Sequence, residues 1–269
     1  MDKITEAPSP YRHLETWSSL EILEAMNKED QTVAQSVARV LPEIEKLIEV
    51  IVAAMTAGGR LFYLGAGTSG RLGILDASEC PPTFGIPATW VTGLIAGGDQ
   101  AIRKAVEGAE DNHTLAWSDL EDAGASAGDV VIGIAASGTT PYVIHGLKSC
   151  RIKGIITACI TCNAHSPVAQ EADHPICVLT GPEFLTGSTR LKAGTAQKLV
   201  LNMISTTTMI RLGRVMDNKM VDMQLTNAKL VERGIQMLVQ VLGISPVAAR
   251  QALLEAGSVR EAMRKYQGL

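Results

Sequence analysis

The apolar positions change rhythm along this chain, and each change marks a different kind of element. Val33, Val37, Leu41, Ile44, Ile48, Ile51 and Met55 recur at steps of three and four. That spacing is the stripe of an amphipathic helix. Ser18 and Glu21 stand at the spacing of a capping box, so a short helix is expected to start there, with a longer one from Gln31. Pro42 should kink or split the longer helix, and Gly58 and Gly59 should end it. Residues 1–16, with Pro8 and Pro10 and few apolar anchors, read as an arm.

Beyond Gly59 the helical period is lost. Short runs that are apolar throughout follow one another: LFYLGAG, ATWVTGLIAGG, DVVIGIAASG, GIITACITCN and HPICVLTG. Runs without alternation predict strands covered on both faces. The segments between them are long enough for helices, so a five-stranded parallel sheet with right-handed crossovers is expected. A long helix is expected over about residues 188–212. In residues 226–269 a helical rhythm returns in three short pieces, with Ser245-Pro246 and Ser258 as starts and Gly243 and Gly257 as stops. The expected organisation is an arm and helices in residues 1–57, a sheet domain in 58–225, and a small three-helix module in 226–269.

Composition narrows the classes of function. The chain has 269 residues, 46% of them hydrophobic, enough for one large core. Its net charge is −4 and no basic run stands out, so neither nucleic acid nor an anionic membrane surface is an expected partner. Neither a secretory leader nor a membrane-spanning stretch is visible, and a cytoplasmic location is the expectation. The five cysteines do not suggest a disulfide framework. Cys159 and Cys162 form a C-x-x-C, but no second pair accompanies them, and they read as core residues. No metal and no cofactor is expected.

Candidate chemistry lies in two loops. Gly65-Ala66-Gly67-Thr68-Ser69-Gly70 is a literal G-x-G-x-x-G after an apolar run. A dinucleotide fold would need an acid at the end of the second strand, and TWVTGLIAGG has none there. Thr68 and Ser69 add hydroxyls instead, which suits a terminal phosphate or a sugar. Ala135-Ala136-Ser137-Gly138-Thr139-Thr140-Pro141 repeats the theme after the third strand. Both loops precede helices, whose free N–H groups and dipole favour an anion. Thr68, Ser69, Ser137 and Thr140 are therefore candidate phosphate and sugar contacts, with Gly67 and Gly138 permitting close backbone approach. Thr189 and Arg190, expected to open the long helix, are further candidates; Lys192 and Lys198 read as solvated.

GAGTSG paired with a later S-G-x-T resembles the sugar isomerase (SIS) domain. Within that group, LGAGTSGRLGILDASECPPTFG, GLIAGGD, VEGAED and TGSTRLKAGTAQKLVLNMIS resemble the N-acetylmuramic acid 6-phosphate etherase family over residues 60–206. The resemblance implies an SIS-type three-layer α/β/α sandwich that binds phosphosugars. It also implies cofactor-independent release of D-lactate, in amino-sugar recycling, with catalytic roles on Glu79 and Glu110. Which of the two is acid and which base stays open. Alternatives are a non-catalytic sugar-phosphate sensor and an aldose–ketose phosphosugar isomerase. SIS domains commonly pair, so a homodimer is expected, through the stripe of residues 33–55 or the long helix. The chain departs from the family pattern at Thr139, where an Arg is usual, and at Thr5-Glu6-Ala7-Pro8-Ser9, where T-E-x-R-N is usual.

Overall fold

The computed structural model describes residues 3–267. In chain order its elements are α1 (Ser19–Ala38), α2 (Leu41–Thr56), β1 (Leu61–Gly65), α3 (Gly67–Phe84), β2 (Val91–Ile95), α4 (Gln100–Arg103) and α5 (Leu115–Asp122). Then come β3 (Val130–Ile134), α6 (Pro141–Ile152), β4 (Ile156–Thr161), α7 (Pro167–Gln170), β5 (His174–Cys177) and α8 (Lys192–Arg211). The tail forms α9 (Ala228–Leu242), α10 (Pro246–Ala256) and α11 (Val259–Gln267).

The strands form one parallel sheet in the order β2-β1-β3-β4-β5. β1 and β3 are immediate neighbours, with Gly65 level with Ile134. Their side chains feed apolar clusters on both faces. Leu61, Tyr63, Val130 and Ile132 pack with α2, α3 and α8 on one face. Phe62, Leu64, Val131 and Cys159 pack with α5, α6 and α7 on the other. Double coverage is why these runs do not alternate. Cys159 and Cys162 are both fully buried, and burial pushes each thiol up to about 12.

Helix boundaries follow local chemistry, with some corrections to the sequence reading. Ser18 and Glu21 make the capping box, but α1 then runs unbroken to Ala38, because nothing between them stops it. The break comes at Val40, and Pro42 sits in the first turn of α2, where its missing N–H is tolerated. Leu41 falls outside the buried stripe and is 46% exposed. Pro81 and Pro82 do not stop α3; the helix carries both in its last turn and ends at Gly85, whose φ of 64° and N–H to the Pro81 carbonyl close it.

Residues 188–191 precede α8 rather than opening it. The buried Glu183 carboxylate accepts from the N–H groups of Lys192 and Ala193, at 2.9 Å each, and so fixes the helix start. Lys192, expected to be solvated, is buried and pairs with Glu29. Residues 5–9 are tied down by polar anchors that apolar patterning does not register: Thr5 bonds Asn163, and Ser9 Oγ donates to the Phe184 carbonyl. In the tail, Ser245 caps α10, and Gly243 and Gly257 close α9 and α10 with φ of 68° and 79°. A separate apolar cluster, including Ile235, Leu238, Leu253 and Val259, holds these helices together.

Candidate functional site

In a parallel sheet of this strand order, the connections diverge to opposite faces between β1 and β3, and ligands bind outside the carboxyl ends of the strands at that point. The two hydroxyl-bearing loops emerge there, from adjacent strands at the same edge. The first leads into α3 on one face and the second into α6 on the other.

The first loop is built around free amides. Ala66, the residue before α3, provides no side-chain cap, and no acid stands in the first turn. The first backbone bond of the helix runs from the Gly70 N–H to the Ala66 carbonyl, which leaves the N–H groups of Gly67, Thr68 and Ser69 to face a ligand. Gly67 has φ of 52° and open space where a Cβ would stand. Thr68 lies against Gly194 in the first turn of α8. Ser69 turns inward: it is buried, and its hydroxyl donates to Gln197 Oε1 at 2.9 Å.

The second loop is built around hydroxyls. Pro141 is the first residue of α6 and has no N–H to offer. Ser137 Oγ accepts from the N–H and the hydroxyl of Thr139, at 3.3 and 3.1 Å, which leaves its own proton to give outward. Asn163 supports the loop from beneath, its Nδ2 donating to the carbonyls of Ala136 and Ser137 at 3.1 Å and to Thr5 Oγ1. Gly138 has φ of 70°, and a Cβ there would stand 2.3 Å from Ser166. Thr140 is half-buried and makes no side-chain cap to α6.

The two glutamates line two different cavities. Glu110, in the short 3-10 turn Ala109–Asp111, lines a cavity of about 240 Å³ together with Ala66, Gly67, Arg71, Ala96, Val106 and Glu107. Arg71 braces that cavity, donating to the carbonyls of Ala101 and Ile102. Glu79 is exposed and lines a second recess of about 210 Å³ between α3 and α8, with Leu72, Leu75, Asp76, Lys198 and Asn202. Among the described residues, the two cavities have no lining residue in common. Thr189 reaches the first loop's surroundings through its carbonyl, which accepts from the Gly194 N–H at 2.9 Å, and Arg190 is exposed.

Sequence reasoning missed three buried polar groups. Asp76 accepts from Tyr63 and from Ser205, each at 2.9 Å; burial pushes its carboxyl up to about 6, against the lowering effect of those two hydroxyls. Gln197 and Glu183 are fully buried. Gln197 had one visible signal, a polar residue on an apolar stripe with Ala193, Val200, Leu201 and Ile204. Among the described residues, no three His, Cys, Asp or Glu side chains converge as a metal site would need. No single helix among them is long and apolar enough to cross a membrane.

Comparison with known proteins agrees with this fold and shows the family. Residues 33–151 match the model of the glucokinase regulatory protein N-terminal SIS domain, and residues 111–207 match the SIS domain. The N-acetylmuramic acid 6-phosphate etherase of Christiangramia forsetii is 60% identical over 263 residues, covering 98% of this chain and 96% of the relative. The enzyme of the same name from Porphyromonas gingivalis is 60% identical over 259 residues, 96% of this chain and 94% of the relative. Among solved structures, a phosphoheptose isomerase from Neisseria gonorrhoeae aligns with a TM-score of 0.52 at 16% identity, covering 71% of this chain and 98% of that one. That likeness concerns the fold alone.

Proposed function

The chain belongs to the N-acetylmuramic acid 6-phosphate etherase family, and from that premise we propose that it cleaves the lactyl ether of N-acetylmuramic acid 6-phosphate. It is a carbon–oxygen lyase, and its products are N-acetylglucosamine 6-phosphate and D-lactate. The observation that carries the reading at the level of the site is the first cavity. There a carboxyl, Glu110, stands beside a helix N-terminus with free amides at the carboxyl edge of the sheet.

The chemistry assigns the parts. The 6-phosphate sits on the N-terminus of α3, with Thr68 and Ser69, and receives hydroxyls from Ser137 and Thr140 across the β1–β3 boundary. Ring opening exposes a C1 aldehyde, which acidifies the C2–H. A carboxylate removes that proton, and a carboxylic acid protonates the lactyl oxygen as the C3–O bond breaks. Water then adds to the unsaturated aldehyde at C3, so the net change is one water consumed for one ether cleaved. Glu110 and Glu79 are the two carboxyls; Glu79 protonates the leaving oxygen and Glu110 takes the proton. Arg190, which is exposed, is available to a carboxylate or phosphate of the substrate.

Glu79 shares its recess between α3 and α8 with exposed Leu75, and a separate groove of about 610 Å³, lined by Leu41, Ile48, Met203 and Thr207, runs between α2 and α8. This apolar side suits a second copy, and a homodimer joined there would complete the site from its other wall. Lactate release from N-acetylmuramic acid 6-phosphate tests the reading. Glu110→Gln and Glu79→Gln should each lower kcat by at least ~100-fold while the proteins stay folded. Wild-type rates in both variants would refute the assignment of the pair.

A further inference from the structure

Gln197 stands on the apolar stripe of α8 and is fully buried. Its Oε1 accepts the Ser69 hydroxyl, and its Nε2 has no hydrogen-bond partner among the described residues. A buried amide nitrogen left unmet is unfavourable. A half-turn of the amide exchanges its ends and relieves it, because Nε2 can then donate to Ser69 Oγ.

The exchange also changes what Ser69 can do. A serine hydroxyl has one proton. With Oε1 facing it, that proton is committed inward, and Ser69 offers an anion nothing but lone pairs. With Nε2 facing it, Ser69 accepts from the amide and keeps its proton for an anion at the start of α3. We infer that Gln197 is a positioning residue for phosphate binding, its amide orientation deciding whether Ser69 is a donor to the ligand. The inference rests on the phosphate reading given above. It explains a costly polar residue in the core of α8 and a serine whose hydroxyl points away from the place where a phosphate would be held.

Titration with inorganic phosphate and with N-acetylglucosamine 6-phosphate, alongside steady-state kinetics, tests it. Gln197→Glu, at mildly alkaline pH, keeps the inward acceptor but has no donor to turn toward Ser69, so it should weaken both ligands and raise KM by roughly 10- to 100-fold, the worth of one hydrogen bond to a charged group. Its kcat at saturation should hold. Gln197→Met removes the inward acceptor and leaves the Ser69 proton uncommitted, so both ligands should bind more tightly than in Gln197→Glu. Ser69→Ala should show the same loss as Gln197→Glu, and adding Gln197→Glu to it should cost little more. The inference is overturned if Gln197→Glu binds phosphate like wild type, if Gln197→Met binds no better than Gln197→Glu, or if the Ser69→Ala and Gln197→Glu losses multiply. Those results would leave lactate release by wild type, and with it the proposed activity, standing. Wild-type protein that binds neither probe would remove both.

Discussion

The first and second loops leave neighbouring strands at one sheet edge, yet they present opposite chemistries. At the start of α3, backbone amides face outward and the serine hydroxyl is held inward by Gln197. At the start of α6, a proline removes the first amide, and Ser137 is fed two donors so that its own proton is free. Support differs as well. Gly67 has open space around it, whereas Gly138 is pressed against Ser166 and underpinned by Asn163. A phosphate held between them would meet amides from one side and hydroxyls from the other. Small residues at a helix start are thus no single motif: the neighbours beneath each loop decide which atoms it shows.

Substitutions should break this contrast in graded steps. The largest effect is expected for Gly138→Ala. Its Cβ would overlap Ser166 while the backbone stays at positive φ, which should cost on the order of 3–5 kcal/mol. Thermal unfolding would read that as a drop on the order of 10 °C; an unchanged Tm would mean the second loop is not held as described. Next comes Asp76, which anchors α3 to β1 and α8, while α6 carries no acid at all.

The Asp76 carboxyl is raised from 3.8 to about 6, so within that window the folded chain binds more protons than the unfolded one. Stability therefore falls as pH rises from about 4 to about 6. Relative to Asp76→Asn, wild type should lose on the order of 3 kcal/mol across it. Denaturant titrations of the two proteins at several pH values would show the gap, and parallel curves would contradict the assignment. The smallest effect belongs to Gly67→Ala. The new Cβ meets open space, and only the positive φ opposes it, at about 1 kcal/mol. Because Gly67 lines the Glu110 cavity, KM should rise by more than the modest change in Tm suggests.

Much of this molecule is legible from residue order because its signals are local. Unbroken apolar runs such as Val130–Ile134 announce doubly covered strands, and Gly243 and Gly257 close their helices within a few residues. Pro81 and Pro82 are the complementary case: a proline inside a helix costs about 3 kcal/mol, yet α3 carries both in its last turn, so there local preference yields to packing. What residue order hides is partnership at long range. Ser69 and Gln197 are 128 positions apart, Thr5 and Asn163 158, Lys192 and Glu29 163. Periodicity tells which face a side chain occupies and says nothing about who waits on the other side. The separation of Glu79 from Glu110 is hidden for the same reason, since two nearby glutamates can be turned apart by one helix and one loop.

Glu183 adds a last constraint. Its carboxylate already rests on the first amides of α8, in a position where the backbone dipole would welcome any negatively charged group. By carrying a resident anion at that helix, the polypeptide withdraws it from competition, and under the proposed reading an incoming monoester would be directed toward α3 and α6. Charge selectivity at this edge would then be set partly by subtraction: a polyanion would find one of its natural footholds taken.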